Sequence, residues 1–540
     1  MENKIRPKEN YNVWLPLLLS LVMVAGMFIG FKLNSDVAGP SIKKVINNNS
    51  ETRSSVDEVL NFIYAKYVDQ VDQEEVIEDA IKTIVDELDP HSNYIPARYL
   101  RDINDSMDGN FEGIGVEYLV YKDTIIVLEV TKDGPSDKVG LLAGDKIIAV
   151  DDSTIAGLEL RNNEIIDFLK GPKGSTVSVD VLRQNKPLNF QIKRDRIDLP
   201  SVDAAYMLND DVAYIKINRF SSTTFREYME AFEKMVKEDN AQHIVIDLRQ
   251  NPGGLLKEAT NILSQIFQEK GKLLVYTEGR TSKKIEYKTT GKNFFSVDKV
   301  AVLIDEGSAS GSEILAGAIQ DWDRGVLVGR RTFGKGLVQE QYPLKGGSAL
   351  RLTVARYYIP SGRSIQKDYS DMDIYRNDYH ERILSGELME QDSFELIDTT
   401  IYYTAKKREV FAKSGIMPDI FVPIDKFYLD ADRFTINEQI PIYVFEHLNK
   451  FKSNSPQDLK TFIKTEVVTD ADYDEFWASI PETLRTDKNV HKDQIKLLIK
   501  SRLAKHFFGD DGMYKVLNNE DVSIQEALSA FENNSPLTLK

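Results

Sequence analysis

Between Ala213 and Val328, short uninterrupted apolar runs alternate with amphipathic segments, which predicts an α/β core on a largely parallel sheet. Closely spaced β-type runs from Phe111 to Ile197, with turn residues between them, predict a smaller β-rich module ahead of that core. Helical periodicity on either side predicts an N-terminal helical hairpin and a mainly helical C-terminal domain, and one N-terminal transmembrane helix precedes them all.

The first element is the membrane segment. Lys4, Arg6 and Lys8 precede an uncharged stretch, Val13 to Phe31, that ends at Lys32. At ~1.5 Å rise per residue its length comes close to the ~30 Å hydrocarbon core of a bilayer. Basic residues ahead of the stretch orient the N-terminus inside and the rest outside. A cleaved signal peptide is the rival, with Val37-Ala38-Gly39 as a weak cleavage site, but its apolar region seldom exceeds ~15 residues. Residues 1–32 thus read as a cytoplasmic tip and single-pass anchor in the inner (cytoplasmic) membrane, with the remainder in the periplasm or outside the cell. Residues 33–54, polar and carrying Asn47-Asn48-Asn49, read as a tether.

The helical region spans 55–105. Ser55 and Glu58 have the spacing of a capping box, and Val56, Leu60, Ile63 and Tyr64 continue at helical spacing. Asp72 and Glu75 repeat the box for a second helix through Val76, Ala80, Ile84 and Val85, which stops before Asp89-Pro90. The β-rich module, 106–197, has runs at 115–118, 124–128, 146–150 and 176–181, a short helix after Gly134-Pro135 and another from Arg161 to Lys170. In the core, 198–425, strands are predicted at 213–217, 244–248, 273–276, 300–304 and 326–328. Helices are predicted at 223–237, at 255–267 and from Ser310 onward. In 426–540, Ile495 to Phe508 is amphipathic and Ser523 with Glu526 forms a capping pattern.

Composition excludes several functions. The net charge of −17 argues against nucleic acid as a partner, because phosphate binding wants a basic surface. The absence of cysteine removes thiol nucleophiles, disulfides and thiolate metal sites together. The six histidines form no ligand spacing such as HExxH, so neither a metal nor another cofactor is expected. Nothing in the chain sets an oligomeric state.

Two positions carry chemistry. Ser310 lies in Gly307-Ser308-Ala309-Ser310-Gly311-Ser312-Glu313 at the start of a helix, and Lys335 lies in the turn Phe333-Gly334-Lys335-Gly336. A hydroxyl at a helix start and an amine on a turn are what a serine hydrolase with a lysine base requires. Ser310 with Glu313 is equally a helix cap, and Ser308 and Ser312 compete for the nucleophile's place. A lysine base must titrate near ~7 to 8 instead of ~10.4, a shift worth about 4 kcal/mol that burial can supply. Phe333, Leu337 and Val338 offer apolar walls, and the Gln339 amide oxygen can orient the amine. The stretch Gly329 to Gly336 nearly spells a phosphate loop, but Gly336 stands where Ser or Thr would hold magnesium. Two buried strands end in small-residue turns, so the N–H groups of Gly311 and of Gly253-Gly254 are candidate oxyanion donors.

The string Ser308-Ala309-Ser310-Gly311-Ser312-Glu313, then Gln320-Asp321, then Phe333-Gly334-Lys335-Gly336-Leu337-Val338-Gln339 resembles the carboxyl-terminal processing, or tail-specific, proteases. Asp247-Leu248-Arg249, Asn251, Gly253-Gly254, Leu88-Asp89-Pro90-His91-Ser92 and Thr353 to Gly362 match the same family, in order, over about 55–425. The resemblance implies an α/β protease core with Ser310 as nucleophile, Lys335 as general base and Gln339 as its support. It also implies that the β-rich module is a PDZ-like domain whose Gly113-Ile114-Gly115-Val116 loop binds a substrate's C-terminal carboxylate while the tail adds as a strand. Expected partners are therefore protein or peptide substrates with accessible C-terminal tails, and the membrane through the N-terminal helix. The rival reading is a catalytically silent PDZ adaptor that captures tails. Two features depart from the family pattern: an insert at about 367–413, and the domain after 425.

Overall fold

The computed structural model describes residues 50–393, 400–412, 414–430, 433–481 and 490–533. The predicted membrane stretch 13–31 lies outside them, as does nearly all of the tether; among the described residues no helix is long and apolar enough to cross a membrane. The chain divides into two compact units between Ala80 and Ile81. In the first, α1 (Ser50–Lys66) passes through Ser55, so Ser55 does not begin the helix as its capping pattern predicts. The next helix, α2 (Gln73–Asp86), starts as expected: Asp72 Oδ1 accepts from the N–H groups of Glu74 and Glu75 at 2.8 and 3.2 Å.

In the second unit, β1 (Asn93–Ile95), α3 (Ala97–Asp108) and β2 (Asn110–Gly113) lead into the β-rich module. The module comprises β3 (Val116–Tyr121), β4 (Thr124–Val130), α4 (Pro135–Val139), β5 (Lys146–Val150), β6 (Ser153–Thr154), α5 (Asn162–Leu169), β7 (Thr176–Arg183) and β8 (Lys186–Lys193). Its sheet runs β3-β4-β5-β7-β8, with β6 on β5, and leaves β3 on an edge. Val177, Val179 and Val181 alternate inward, the period-two pattern of a strand with one buried face. A following strand, β9 (Asp195–Asp198), pairs with β2 and ties the module's entry to its exit.

The core continues through β10 (Val202–Met207), β11 (Val212–Ile217), α6 (Thr224–Glu238), β12 (His243–Asp247), α7 (Leu256–Ile266), β13 (Leu273–Glu278), β14 (Ile285–Lys288) and β15 (Val300–Ile304). It then adds α8 (Gly311–Asp321), β16 (Val326–Gly329), β17 (Leu337–Pro343), β18 (Ala349–Tyr358), α9 (Met372–Leu384), β19 (Ile401–Tyr403), β20 (Glu409–Phe411) and β21 (Ile420–Phe421). The central sheet runs β10-β11-β12-β15-β16-β21, parallel except for β10. β13, predicted as a strand of the parallel series, instead pairs antiparallel with β14 and β18 in a second sheet that also holds β1 and β17. An apolar run specifies burial but not a partner, so its local pattern does not decide which sheet receives it.

Both faces of the central sheet are covered, which is why β11, β12 and β15 are apolar and buried nearly throughout. One face packs on α6, α7 and α8 through Phe232, Ile262 and Leu315. Among the described residues five C-terminal α-helices follow: α10 (Arg433–Asn454), α11 (Leu459–Lys464), α12 (Asp470–Ser479), α13 (Lys492–Asn518) and α14 (Val522–Glu532). α14 covers the sheet's other face, where Ile524, Ala527 and Phe531 share a cluster with Val245, Leu303 and Val328. Burial of side chains like Ile524 and Phe531 contributes about 1.5–3 kcal/mol each. The cap of α14 is Asp521, which accepts from Ser523 and Ile524 N–H at 2.8 and 3.2 Å, not the predicted Ser523–Glu526 box.

Candidate active site

β15 ends at Ile304, and the chain turns through residues 305–309 into α8, so the small-residue run lies at the carboxyl end of a parallel strand. Its three serines have different fates. Ser308 is fully buried and donates to Leu248 O at 2.8 Å; Ser312 is fully buried and donates to Asn251 O at 2.9 Å. Only Ser310 is partly exposed, with its hydroxyl on no backbone carbonyl. Geometry thus gives a physical reason to set Ser310 apart from its neighbours. Its backbone sits at φ 52°, ψ −110°, a conformation that costs a non-glycine residue of order 1–3 kcal/mol and gathers at functional sites. The predicted cap coexists with this: Glu313 accepts from Ser310 N–H at 2.9 Å, and the Ser310 side chain faces the Glu313 N–H.

Glu313 does more than cap. Its carboxylate is fully buried, with Oε2 accepting from Ser310 N and also from Lys335 N at 2.8 Å. Oε1 accepts from Thr332 Oγ1 at 2.6 Å and Gly334 N at 2.7 Å. Because Ser310 N and Lys335 N share one oxygen, they lie less than about 6 Å apart. On the carbonyl side the buried Tyr357 hydroxyl stands 3.1 Å from Ser310 O and 2.5 Å from Lys335 O. One carboxylate and one phenol therefore brace the same two residues, the first through their N–H groups and the second through their carbonyls.

Lys335 Nζ donates to Gln339 Oε1 at 3.2 Å, and Gln339 Nε2 donates to the His91 carbonyl. Gln339 is on β17, four residues beyond the lysine. Burial holds the Lys335 amine below its ordinary range, Arg351 assists by repulsion, and Glu313 and Asp89 oppose the shift. Burial pushes the Glu313 carboxyl up to about 7 against the pull of its four donors. Among the described residues, no hydrogen bond joins Ser310 Oγ to Lys335 Nζ.

The candidate oxyanion donors separate. Gly253 N–H donates to Asn251 Oδ1 at 2.8 Å, so it is engaged and the expectation for Gly253 is corrected. Gly253 has a spatial role instead: a Cβ there would stand 2.6 Å from Ser310 Cβ. Gly254 N–H and Gly311 N–H donate to no acceptor among the described residues, and Gly254 N is 3.6 Å from where a Gly311 Cβ would be. In the β-rich module, Gly113 ends β2, while Ile114 and Gly115 lie outside the strands and Val116 begins β3. Ile114 O accepts from Ser136 N and Oγ, and Gly115 O accepts from Thr131 N; the N–H groups of Ile114 and Gly115 have no acceptor among the described residues.

Sequence reasoning placed Tyr357 and Asn251 in motifs that match the family but gave them no role, and it missed the wider part of Glu313. The Ser-x-x-Glu spacing was a signal for Glu313, but it speaks only to the local cap. It also missed a buried charge cluster beside the Gly253-Gly254 turn. There Asp247 accepts from Tyr214 Oη at 2.8 Å, Arg249 Nη2 at 2.6 Å and Lys216 Nζ at 3.4 Å, and Arg249 Nη1 donates to Asp521 at 2.6 Å.

A family model described as peptidase family S41 matches residues 211–376, a PDZ domain model matches 113–193, and one described as the activating protease CtpB N-terminal domain matches 21–98. The chain is 36% identical over 355 residues to a carboxy-terminal-processing protease of Bartonella bacilliformis, covering 64% of this chain and 80% of that protein. It is 33% identical over 354 residues to the carboxy-terminal processing protease CtpB of Bacillus subtilis, covering 64% and 72%. The solved structure of a photosystem II D1 C-terminal processing protease is 25% identical, covering 69% of this chain and 88% of that one with a TM-score of 0.36.

Proposed function

We propose, from the premise that the chain belongs to peptidase family S41 and is a carboxy-terminal processing serine peptidase, that it cleaves by a Ser310–Lys335 dyad after its PDZ domain has engaged a substrate's C-terminus. The observation that carries this reading is the single buried oxygen of Glu313 that accepts from both Ser310 N–H and Lys335 N–H.

Ser310 Oγ attacks the peptide carbonyl while the neutral Lys335 amine takes its proton. The lysine keeps an N–H on Gln339 while its lone pair accepts from Ser310 Oγ; such catalytic contacts are often open without substrate and tighten when it binds. The new oxyanion receives the free N–H groups of Gly311 and Gly254, at a helix start whose dipole favours negative charge. The C–N bond breaks, Lys335 returns the proton to the leaving amine, and water hydrolyses the Ser310 ester. The substrate tail adds to the free edge of β3, with its carboxylate on the unpaired N–H groups of Ile114 and Gly115. The uncharged stretch 13–31 anchors the chain, with its protease on the far side of the membrane.

The test is cleavage of an unstructured substrate bearing a free C-terminus. Wild type cuts it and acylates at Ser310, whereas Ser310→Ala and Lys335→Ala bind it but lose at least ~10³-fold in kcat/KM. Binding without cleavage by wild type overturns the dyad and leaves a tail-capturing adaptor.

A further inference from the structure

The segment 367–413 is an insert between two family motifs, yet it reaches the lysine from two directions. From α9, the Tyr375 hydroxyl lies 2.7 Å from His91 Nε2, and its ring meets Phe333 edge-on at 6.2 Å. His91 belongs to the turn whose carbonyl receives Gln339 Nε2, and Gln339 Oε1 receives Lys335 Nζ. A continuous chain of contacts therefore runs from the insert to the amine. From the same helix, the buried Arg382 guanidinium donates to Arg331 O at 2.6 Å and to Thr332 O at 3.4 Å, the carbonyls just upstream of the Lys335 turn. Glu387, also in the insert, holds Arg382 Nε at 2.9 Å and Arg331 through two contacts of 2.8 Å, so the buried guanidinium groups are compensated. Lys367 pairs with Asp378 at 2.9 Å and lies 4.0 Å over the Phe333 ring.

We infer that the insert supplies positioning residues for the base: Tyr375 seats the His91 turn against Gln339, and Arg382 with Glu387 fixes the backbone that presents Lys335. This rests on the reading of Lys335 as general base. A fixed amine matters because misplacing a reacting group by about 1 Å can cost ~10²-fold in rate. Burial also matters. A cavity of about 390 Å³ lined by His91, Phe333, Lys367 and Tyr375 adjoins the contact, and loosening Tyr375 opens a path for solvent toward the amine. The charged and titratable groups facing Lys335 are Arg351 from β18, Glu313 from α8, and Asp89 and His91 from the turn before β1; those facing His91 are Lys335, Lys367, Asp89 and Tyr375.

The experiment measures kcat and KM against pH on an unstructured tailed peptide, using the full chain, with thermal unfolding alongside. For Tyr375→Phe, which deletes one oxygen, we expect kcat to fall about tenfold with KM within about twofold. The ascending limb of kcat/KM moves to higher pH, because a wetter amine holds its proton more tightly. Arg382→Lys keeps the charge but loses the fork, and is expected to lower kcat in the same way with KM unchanged; it decides the matter if Tyr375→Phe fails to fold. Wild-type kcat and pH profile in either folded variant overturn the inference while leaving the dyad standing. No cleavage by wild type, or undiminished cleavage by Lys335→Ala, removes instead the reading on which it rests.

Discussion

Two buried carboxylates flank the candidate site, and they behave oppositely. Asp247 ends β12 and is 1% exposed; Glu313 lies in the first turn of α8 and is 0% exposed. Asp247 meets two cations, Arg249 and Lys216, which hold its carboxyl well below the usual range despite burial. Glu313 meets three backbone N–H groups and one hydroxyl, and burial wins, pushing it up to about 7. Full charges offset desolvation where neutral dipoles do so only in part. The first arrangement suits a scaffold under the Gly253-Gly254 turn. The second suits a brace beside Lys335, because it fixes the backbone without placing a further cation next to the amine.

The strongest way to break this comparison is Asp247→Asn. It leaves the Lys216 and Arg249 cations with too little compensation, and chemical denaturation should show a loss of about 3–5 kcal/mol. A stability near that of wild type would mean the cluster is hydrated. At pH 7, Glu313→Gln should cost less, about 1–3 kcal/mol, because its amide nitrogen faces an N–H donor that it cannot satisfy. Its kcat should fall more steeply than its stability, by ~10²-fold, as the two backbones lose their common acceptor.

The pH dependence of the two sharpens the contrast. Glu313 has a folded pKa of about 7, above an unfolded value near ~4.3, so its contribution is full below ~4.3 and is lost as pH rises through 7. That loss is about 3–4 kcal/mol, and it is absent in Glu313→Gln, so the stability gap between variant and wild type narrows from pH 4.5 to 7. The folded pKa of Asp247 is lowered, so its contribution is present above ~3.9 and lost in acid; the Asp247→Asn gap stays flat from pH 5 to 7 and closes only below ~4. Parallel curves for the two variants would erase the distinction.

Two smaller tests follow the brace outward. Tyr357→Phe removes the hydroxyl between Ser310 O and Lys335 O and should lower kcat about tenfold with little change in unfolding midpoint. Arg351→Gln removes a cation that disfavours the charged lysine, so the ascending limb of kcat/KM should move up by a fraction of a pH unit. An unmoved limb would leave burial alone responsible.

Much of the site was legible because it is local. Ser310 at a helix start, the turn at Lys335 and Gln339 on the following strand are all read from neighbouring residues. Glu313 was legible only as a cap, since its other donors, Thr332, Gly334 and Lys335, come from nineteen to twenty-two residues further on. Gly253 was taken for an oxyanion donor because a glycine pair implies exposed N–H groups, whereas the Asn251 side chain two residues back had already engaged one of them. β13 was read correctly as a strand and assigned to the wrong sheet, and the cover that α14 gives the central sheet had no sequence signal at all.

Periodicity, capping patterns and turn chemistry are short-range energetics, so the chain alone sufficed to locate most strands and helices and to present an alcohol and an amine in suitable settings. Which serine kept a free hydroxyl, which glycine kept a free N–H and how deeply the lysine was buried emerged only when distant segments met. Hydrogen bonds and desolvation depend on what lies within a few ångströms in space, and separation along the chain says little about that.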